Sequence, residues 1–227
     1  MNITLFAIGI TLAAYLGVRH LYLRLRHPLL NVVALGAGLI IAALLALDIP
    51  YSAYAPAKDI MTALLGPATV GLAVPLYRYR SLLLRCGPAI VGSVALGALL
   101  AMLTAAGIAK LGGLPKDVVV SILPKGVSIP FAVEIAQIHH GIPPLTAAFV
   151  VATGTLGSLM GGWLLNLARV TDPMARGLAL GTVSHGQGTA TALMEGEQQG
   201  AMAGLAMILA GIFTAAFAPL AVWLLGL

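Results

Sequence analysis

Charge is scarce in this sequence. Of its 227 residues only 8% are Asp, Glu, Lys or Arg, while 60% are hydrophobic. An ordinary soluble domain carries about a quarter charged residues, so a soluble fold is excluded. Cysteine is almost missing: Cys86 stands alone, which rules out an intrachain disulfide and a thiolate metal site. The adjacent His139 and His140 have no cysteine or clustered carboxylate beside them, so no metal is expected, and no motif asks for another cofactor. The 12 basic residues outnumber the 7 acidic ones, for a net charge of +5. That excess lies in short loops, where it acts as an orientation signal rather than a nucleic-acid surface. No soluble domain, low-complexity tract or long linker interrupts the chain.

What remains is a polytopic membrane protein with the lipid bilayer as its solvent, all-α because backbone polar groups in hydrocarbon must be satisfied within the segment. The 27 glycines and 13 prolines fit tightly packed, interrupted membrane helices. Seven to eight hydrophobic segments fall at roughly 3–18, 29–47, 60–76, 87–109, 118–138, 143–167, 177–193 and 201–226, several short for the ~20 residues a span needs. Together they make one integral membrane domain over residues 1–227. The stretch before Val18 lacks a leading basic region and is followed by Arg19, so it reads as a span and not a cleaved signal peptide.

The fifth segment contains Leu123-Pro124-Lys125-Gly126-Val127-Ser128-Ile129-Pro130. Pro124 and Pro130 each remove a backbone donor and clash with the preceding turn, and each pushes the residue before it towards extended backbone. Two half-helices joined by an unwound linker are predicted, with Lys125 in the linker. Irregular backbone at membrane depth survives only where protein or a water-filled cavity covers it, and a cation there marks function. Lysine suits a carboxylate that must bind and leave; with the amides of Gly126 and Ser128 it describes an anion site. The structural alternatives are a lysine reaching the interface or one paired with Glu134. Glu134 is read in three ways: counter-ion, proton carrier, or solvated segment end. Pro67 and Pro75 predict a matching break in the third segment.

Loop charge agrees. Arg19, Arg24 and Arg26 follow the first segment, and Arg78, Arg80 and Arg85 follow the third; the positive-inside rule makes both loops cytoplasmic and the N-terminus external. The Arg169/Arg176 loop is cytoplasmic only if the fifth segment is re-entrant. Paired broken segments predict an inverted repeat.

The seventh segment holds Ser184-His185-Gly186-Gln187-Gly188-Thr189, too polar to face lipid. Its glycines allow close backbone approach, and Ser184, Gln187 and Thr189 offer uncharged hydrogen bonds. His185 titrates near neutral pH, and proton coupling through His185 or Glu134 is one reading; a core histidine satisfied by neighbours is the other. A hydrolase triad from Ser184, His185 and Glu195 is disfavoured because adjacent Ser and His point apart, and no enzyme activity is expected. Gly154, Gly157, Gly161 and Gly162 read as helix-packing positions.

Leu65-Gly66-Pro67-Ala68-Thr69-Val70-Gly71-Leu72-Ala73-Val74-Pro75-Leu76-Tyr77, the linker from Leu123 to Pro130, the run from Ala175 to Ala190, Glu195-Gly196-Glu197 and Gly211-Ile212-Phe213-Thr214-Ala215 together resemble the LrgB family (also called CidB/LrgB) over about residues 60–220. Gly126 stands where that family usually has Ser. The resemblance implies a bacterial inner-membrane protein, described for many members as antiholin-like or as a modulator of murein hydrolase export, working with a small LrgA/CidA-type membrane partner. Plant relatives look like plastid glycolate/glycerate transporters, and some bacterial members are linked to pyruvate uptake. The leading expectation is a secondary transporter of small monocarboxylates such as pyruvate, glycolate or glycerate. Lys125, Gly126 and Ser128 would hold the carboxylate, and Ser184, His185, Gln187 and Thr189 the other end. The alternative is an antiholin-like regulator of murein hydrolase export and cell lysis acting through that partner. A homodimer is compatible with a compact broken-helix carrier.

Overall fold

A computed structural model describes residues 3–25, 32–64, 67 and 73–227. The chain divides into two compact units, Met1–Gly71 and Leu72–Leu227. The first contains α1 (Ile3–Leu25), α2 (Val32–Ala46) and α3 (Tyr51–Ala63), with α1 packed on both others. Thr11 on α1 lies 3.1 Å from the Tyr54 hydroxyl on α3. Two features differ from the expectation. Helix α1 runs on through Arg19 and Arg24, since arginine is a good helix former and a basic last turn complements the helix dipole. Helix α3 begins at Tyr51, ahead of the third segment expected from about residue 60, and carries Lys58 and Asp59 paired at 2.7 Å on its exposed side. Hydropathy alone placed the start of that segment too late.

The second unit contains α4 (Ala73–Arg78), α5 (Arg80–Leu111), α6 (Lys116–Ile122), α7 (Ile129–Ile138), α8 (Pro143–Leu167), α9 (Pro173–Glu195) and α10 (Glu197–Leu224). Helices α1, α5, α8 and α10 are long and apolar enough to cross a membrane, and large apolar side chains such as Leu96, Ile108 and Leu111 on α5 point outward, as they would towards lipid.

Between these long helices the chain doubles back twice. Ser121 Oγ on α6 accepts a 2.7 Å hydrogen bond from the Ile142 amide just before α8; along one straight helix the two residues would lie about 31 Å apart. The second case is sharper. Arg176 and Glu195, near opposite ends of α9, are joined by two hydrogen bonds of 2.7 and 2.8 Å, where a straight helix would separate them by about 28 Å. Helix α9 is therefore a hairpin of two arms, 173–184 and 186–195, folded at His185, whose backbone is non-helical (φ 41°, ψ −127°).

The ends of the long helices establish their directions. Arg78, just before α5, bonds Glu197 at the start of α10 at 2.9 Å. Lys110 at the end of α5 donates to the Leu225 carbonyl just after α10. So α5 and α10 run parallel, and α8 runs opposite to both. The α6–α7 hairpin leaves and rejoins the end bearing Lys110; the α9 hairpin leaves and rejoins the end bearing Arg78. Span then hairpin is thus repeated, α5 with α6–α7 and α8 with α9, in opposite directions.

Candidate functional site

Each hairpin tip is built by local sequence. Helix α6 stops before Pro124; Ser128, with extended backbone, precedes α7, and Pro130 occupies its first turn, where its missing N–H costs nothing. Turn hydrogen bonds from Leu123, Lys125 and Val127 to Val120, Ile122 and Pro124 close the linker. The amides of Gly126, Ser128 and Ile129 find no backbone acceptor among the described residues. Val127 anchors the tip, fully buried in a cluster with Ile90, Val94, Ala132 and Val150. Lys125 is half-buried and has neither an ion-pair nor a hydrogen-bond partner among the described residues.

In the α9 hairpin, Asp172 caps the first arm by accepting from the Ala175 amide at 2.8 Å, with Pro173 next, a combination that starts helices well. At the fold, His185 takes a positive φ, unusual for a residue with a Cβ and costing about 1–3 kcal/mol. Two hydrogen bonds hold it. His185 Nε2 lies 3.1 Å from the Val150 carbonyl oxygen of α8, and Thr189 Oγ1 donates to the His185 carbonyl at 2.9 Å.

Glycines on α8 make room for this tip. A methyl group built on Gly154 would come within 2.6 Å of His185 Cε1 and 3.1 Å of Gln187 Cδ, one on Gly157 would collide with Ser184 Oγ, and one on Gly161 would meet Leu180 at 2.6 Å. The glycines expected only to pack helices thus also form the wall on which Ser184, His185 and Gln187 lie. Gly154, Gly157 and Val150 line the α9 tip, a role that their spacing along one helix face does not by itself separate from helix packing.

The two tips meet. A methyl group on Gly126 would sit 3.7 Å from the Thr182 carbonyl oxygen and 3.9 Å from that of Val183. The linker of one hairpin therefore faces the carbonyl end of the other's first arm, with Lys125, Gly126 and Ser128 on one side and Ser184, His185, Gln187 and Thr189 on the other. Ser184, His185 and Thr189 are buried. Beside Gly186 the space is open. Gln187 Oε1 is buried without a hydrogen-bond donor.

Other expected residues lie elsewhere. Glu134 is exposed on α7 and forms no ion pair with Lys125. Pro75 sits in the first turn of α4, a position a helix tolerates. The break expected at Pro67 falls on residues 65–72, outside the described residues but for Pro67 itself. His139 and His140 line a surface cleft with Lys116 and Asp117 at the base of the α6–α7 hairpin, at the Lys110 end. No cluster that could hold a metal occurs among the described residues. At the base of the α9 hairpin Arg176 also donates to Asn166 Oδ1 (2.8 Å) and the Val170 carbonyl (2.9 Å), so its role is structural.

Long apolar helices and two facing helix breaks define an integral membrane protein of the discontinuous-helix type. The chain belongs to the LrgB-like family, whose profile matches residues 11–224. It is 36% identical over 222 residues to the uncharacterized protein YxaC of Bacillus subtilis (strain 168), covering 98% of this chain and 96% of the relative. It is 32% identical over 219 residues to the uncharacterized protein YwbG of the same strain, covering 96% and 97%. No solved structure matches the chain.

Proposed function

We propose that this protein is a secondary transporter of small organic monocarboxylates, with its substrate site where the two hairpin tips meet. The observation that carries this reading is Lys125, a cation with no carboxylate partner among the described residues, beside Gly126 at the contact with the second tip. A charge inventory supports it. The tips bring together two helix starts, at Ile129 and Gly186, and two helix ends, at Ile122 and Ser184. Their partial charges, about half a unit each, cancel. Lys125 is left over, and one anion balances it. Burying a lone cation is costly unless a partner arrives, so a monoanion fits better than a neutral or dianionic solute.

The hairpins act as re-entrant elements entering from opposite faces, an inverted repeat that alternating access can exploit. Arg78, Arg80, Arg85, Arg169 and Arg176 lie at or near one end, against Lys110 and Lys116 at the other, so the arginine-rich end faces the cytoplasm of a bacterial inner membrane. Backbone amides at Gly126 and Ser128 hold the carboxylate with Lys125; Ser184, His185, Gln187 and Thr189 surround the remainder.

The test is uptake of labelled pyruvate and glycolate into proteoliposomes. Saturable uptake that Lys125→Ala abolishes, with folding intact, and Lys125→Arg partly retains is expected. Uptake indifferent to Lys125 would sink the site assignment. Absence of uptake, both alone and with an LrgA/CidA-type partner present, would favour the regulatory alternative.

A further inference from the structure

We infer that the cleft at the base of the α6–α7 hairpin is a second, outer site for small carboxylates, where Lys116, His139 and His140 collect the anion before it reaches Lys125. This rests on the carrier reading above. The cleft encloses about 440 Å³ between the two arms of the hairpin and the end of α10. A two- or three-carbon acid with its water shell fits that volume. Lys116 comes from the start of α6, and the two imidazoles follow the last turn of α7. None of the three side chains has an ion-pair or hydrogen-bond partner among the described residues.

Among the described residues lining the cleft, the acidic side chain is Asp117, whose Oδ1 accepts from the Val118 amide at 2.9 Å. Much of the remaining lining is aliphatic, from Val120, Ile138 and Val222. Cations beside hydrocarbon match a carboxylate on a short carbon chain better than an inorganic anion, and Asp117 opposes a dianion. His140 adds a second observation. Its backbone lies in the left-handed region (φ 65°), which glycine enters freely and a residue with a Cβ enters at a cost. The turn directly follows α7, where glycine is the usual residue. Gly141 comes next in the chain and does not take the positive φ. The costly position therefore carries an imidazole, on the wall of the cleft.

The cleft also lies on the way to Lys125. Val120 on its wall precedes Lys125 in the same arm by a distance of about 7.5 Å at helical rise. Between them comes Leu123, buried with Ile135 in one apolar cluster with Ala218 and Ala221 of α10. Those side chains close the path, so the anion rests in the cleft until the hairpin and α10 part. Because Asp117 offsets one of the cations, the anion is held weakly enough to move on.

The experiment is the concentration dependence of labelled pyruvate uptake at about pH 6, which favours charged imidazole. The vesicles are zwitterionic phosphatidylcholine and phosphatidylethanolamine, so that no anionic headgroup can fill the cleft. Lys116→Gln combined with His139→Gln is expected to raise the half-saturating concentration at least about fivefold and to change the maximal rate less than about twofold. His140→Gly separates binding from folding. It relieves the backbone, so its melting temperature should equal or exceed that of wild type, while its half-saturating concentration still rises about twofold or more. Added salt should raise the wild-type value and move the triple variant much less, since it screens an attraction the variant has lost. Half-saturating concentrations unchanged in every variant overturn the inference and leave the carrier reading standing. A lower maximal rate at an unchanged half-saturating concentration overturns it too, because these residues would then serve hairpin movement and not binding. No saturable uptake by the wild-type protein, with or without an LrgA/CidA-type partner, overturns both the inference and the reading beneath it.

Discussion

The imidazole of His185 lies against the backbone of Gly154, near enough that a single methyl group on that glycine would come within 2.6 Å of the ring. Gly154→Ala must therefore push His185 off the Val150 carbonyl. Forced overpacking of this kind costs about 1–3 kcal/mol. We expect a lowered melting temperature in detergent and uptake reduced at least about tenfold, the loss following from misplacement of a tip rather than from removal of a binding group. Gly107→Ala on α5, where nothing lies within 4 Å, is the control and should stabilise by about 0.5–1 kcal/mol.

Arg176 and Glu195 tie the two arms of α9 together, with side chains only 12% and 21% exposed. Removing either leaves a poorly solvated charge, so Arg176→Met and Glu195→Gln should each destabilise by more than an exposed pair would, and a double-mutant cycle should return a coupling of about 1–3 kcal/mol. A coupling near zero would mean that the arms are held only by packing.

The fold-back of α9 can be seen directly. In a Cys86→Ser background, cysteines at positions 176 and 195 should be joined by a short bismaleimide, whereas two sites about 28 Å apart on a straight helix would not. Mass spectrometry of the trapped peptide pair distinguishes the cases.

Ser121 does two jobs at once, donating to the Asp117 carbonyl at 2.6 Å and accepting from the Ile142 amide at 2.7 Å, with no exposure to solvent. Ser121→Ala strands that amide, for a predicted loss of about 1–3 kcal/mol read by thermal unfolding. Ser121→Thr, which restores the hydroxyl, should recover part of it.

Gly126 is constrained less than its position suggests. An added methyl group would make ordinary contacts of 3.7 and 3.9 Å with the Thr182 and Val183 carbonyls. Gly126→Ser should therefore fold normally, with a melting temperature close to wild type, whereas Gly126→Leu should part the tips and lower uptake. A Gly126→Ser protein that cannot be purified as a folded species would contradict the placement of this linker.

Much of this arrangement could be read from residue types. Pro124 and Pro130 announce the first break because proline has a fixed backbone effect that context rarely overrides. The polar run from Ser184 to Thr189 announces a shielded segment because lipid does not accept one. The second fold was less legible. It turns at His185, a residue with a Cβ, while Gly186 beside it supplies no positive φ; a local bond from Thr189 to the His185 carbonyl and a tertiary one between the imidazole and Val150 hold it. Nor could spacing alone show that Gly154 and Gly157 serve the tip, since small residues every three or four positions serve helix packing equally well. The start of α3 at Tyr51 had a simpler cause: a search for apolar runs passes over a helical turn that carries Lys58 and Asp59.

Two hairpins entering from opposite ends and touching at their tips leave a partition much thinner than the protein. The α7 arm has 10 residues, about 15 Å, so each tip lies roughly halfway through. Where water follows the arms inward, the membrane voltage falls mainly across the partition instead of along the whole bundle. A charge shifted by a small distance at Lys125 would then cross a large part of the field, worth up to about 2.3 kcal/mol per elementary charge for every 100 mV. A monoanion bound to Lys125 would cancel that charge, and the loaded site would cross the same field almost without electrical work.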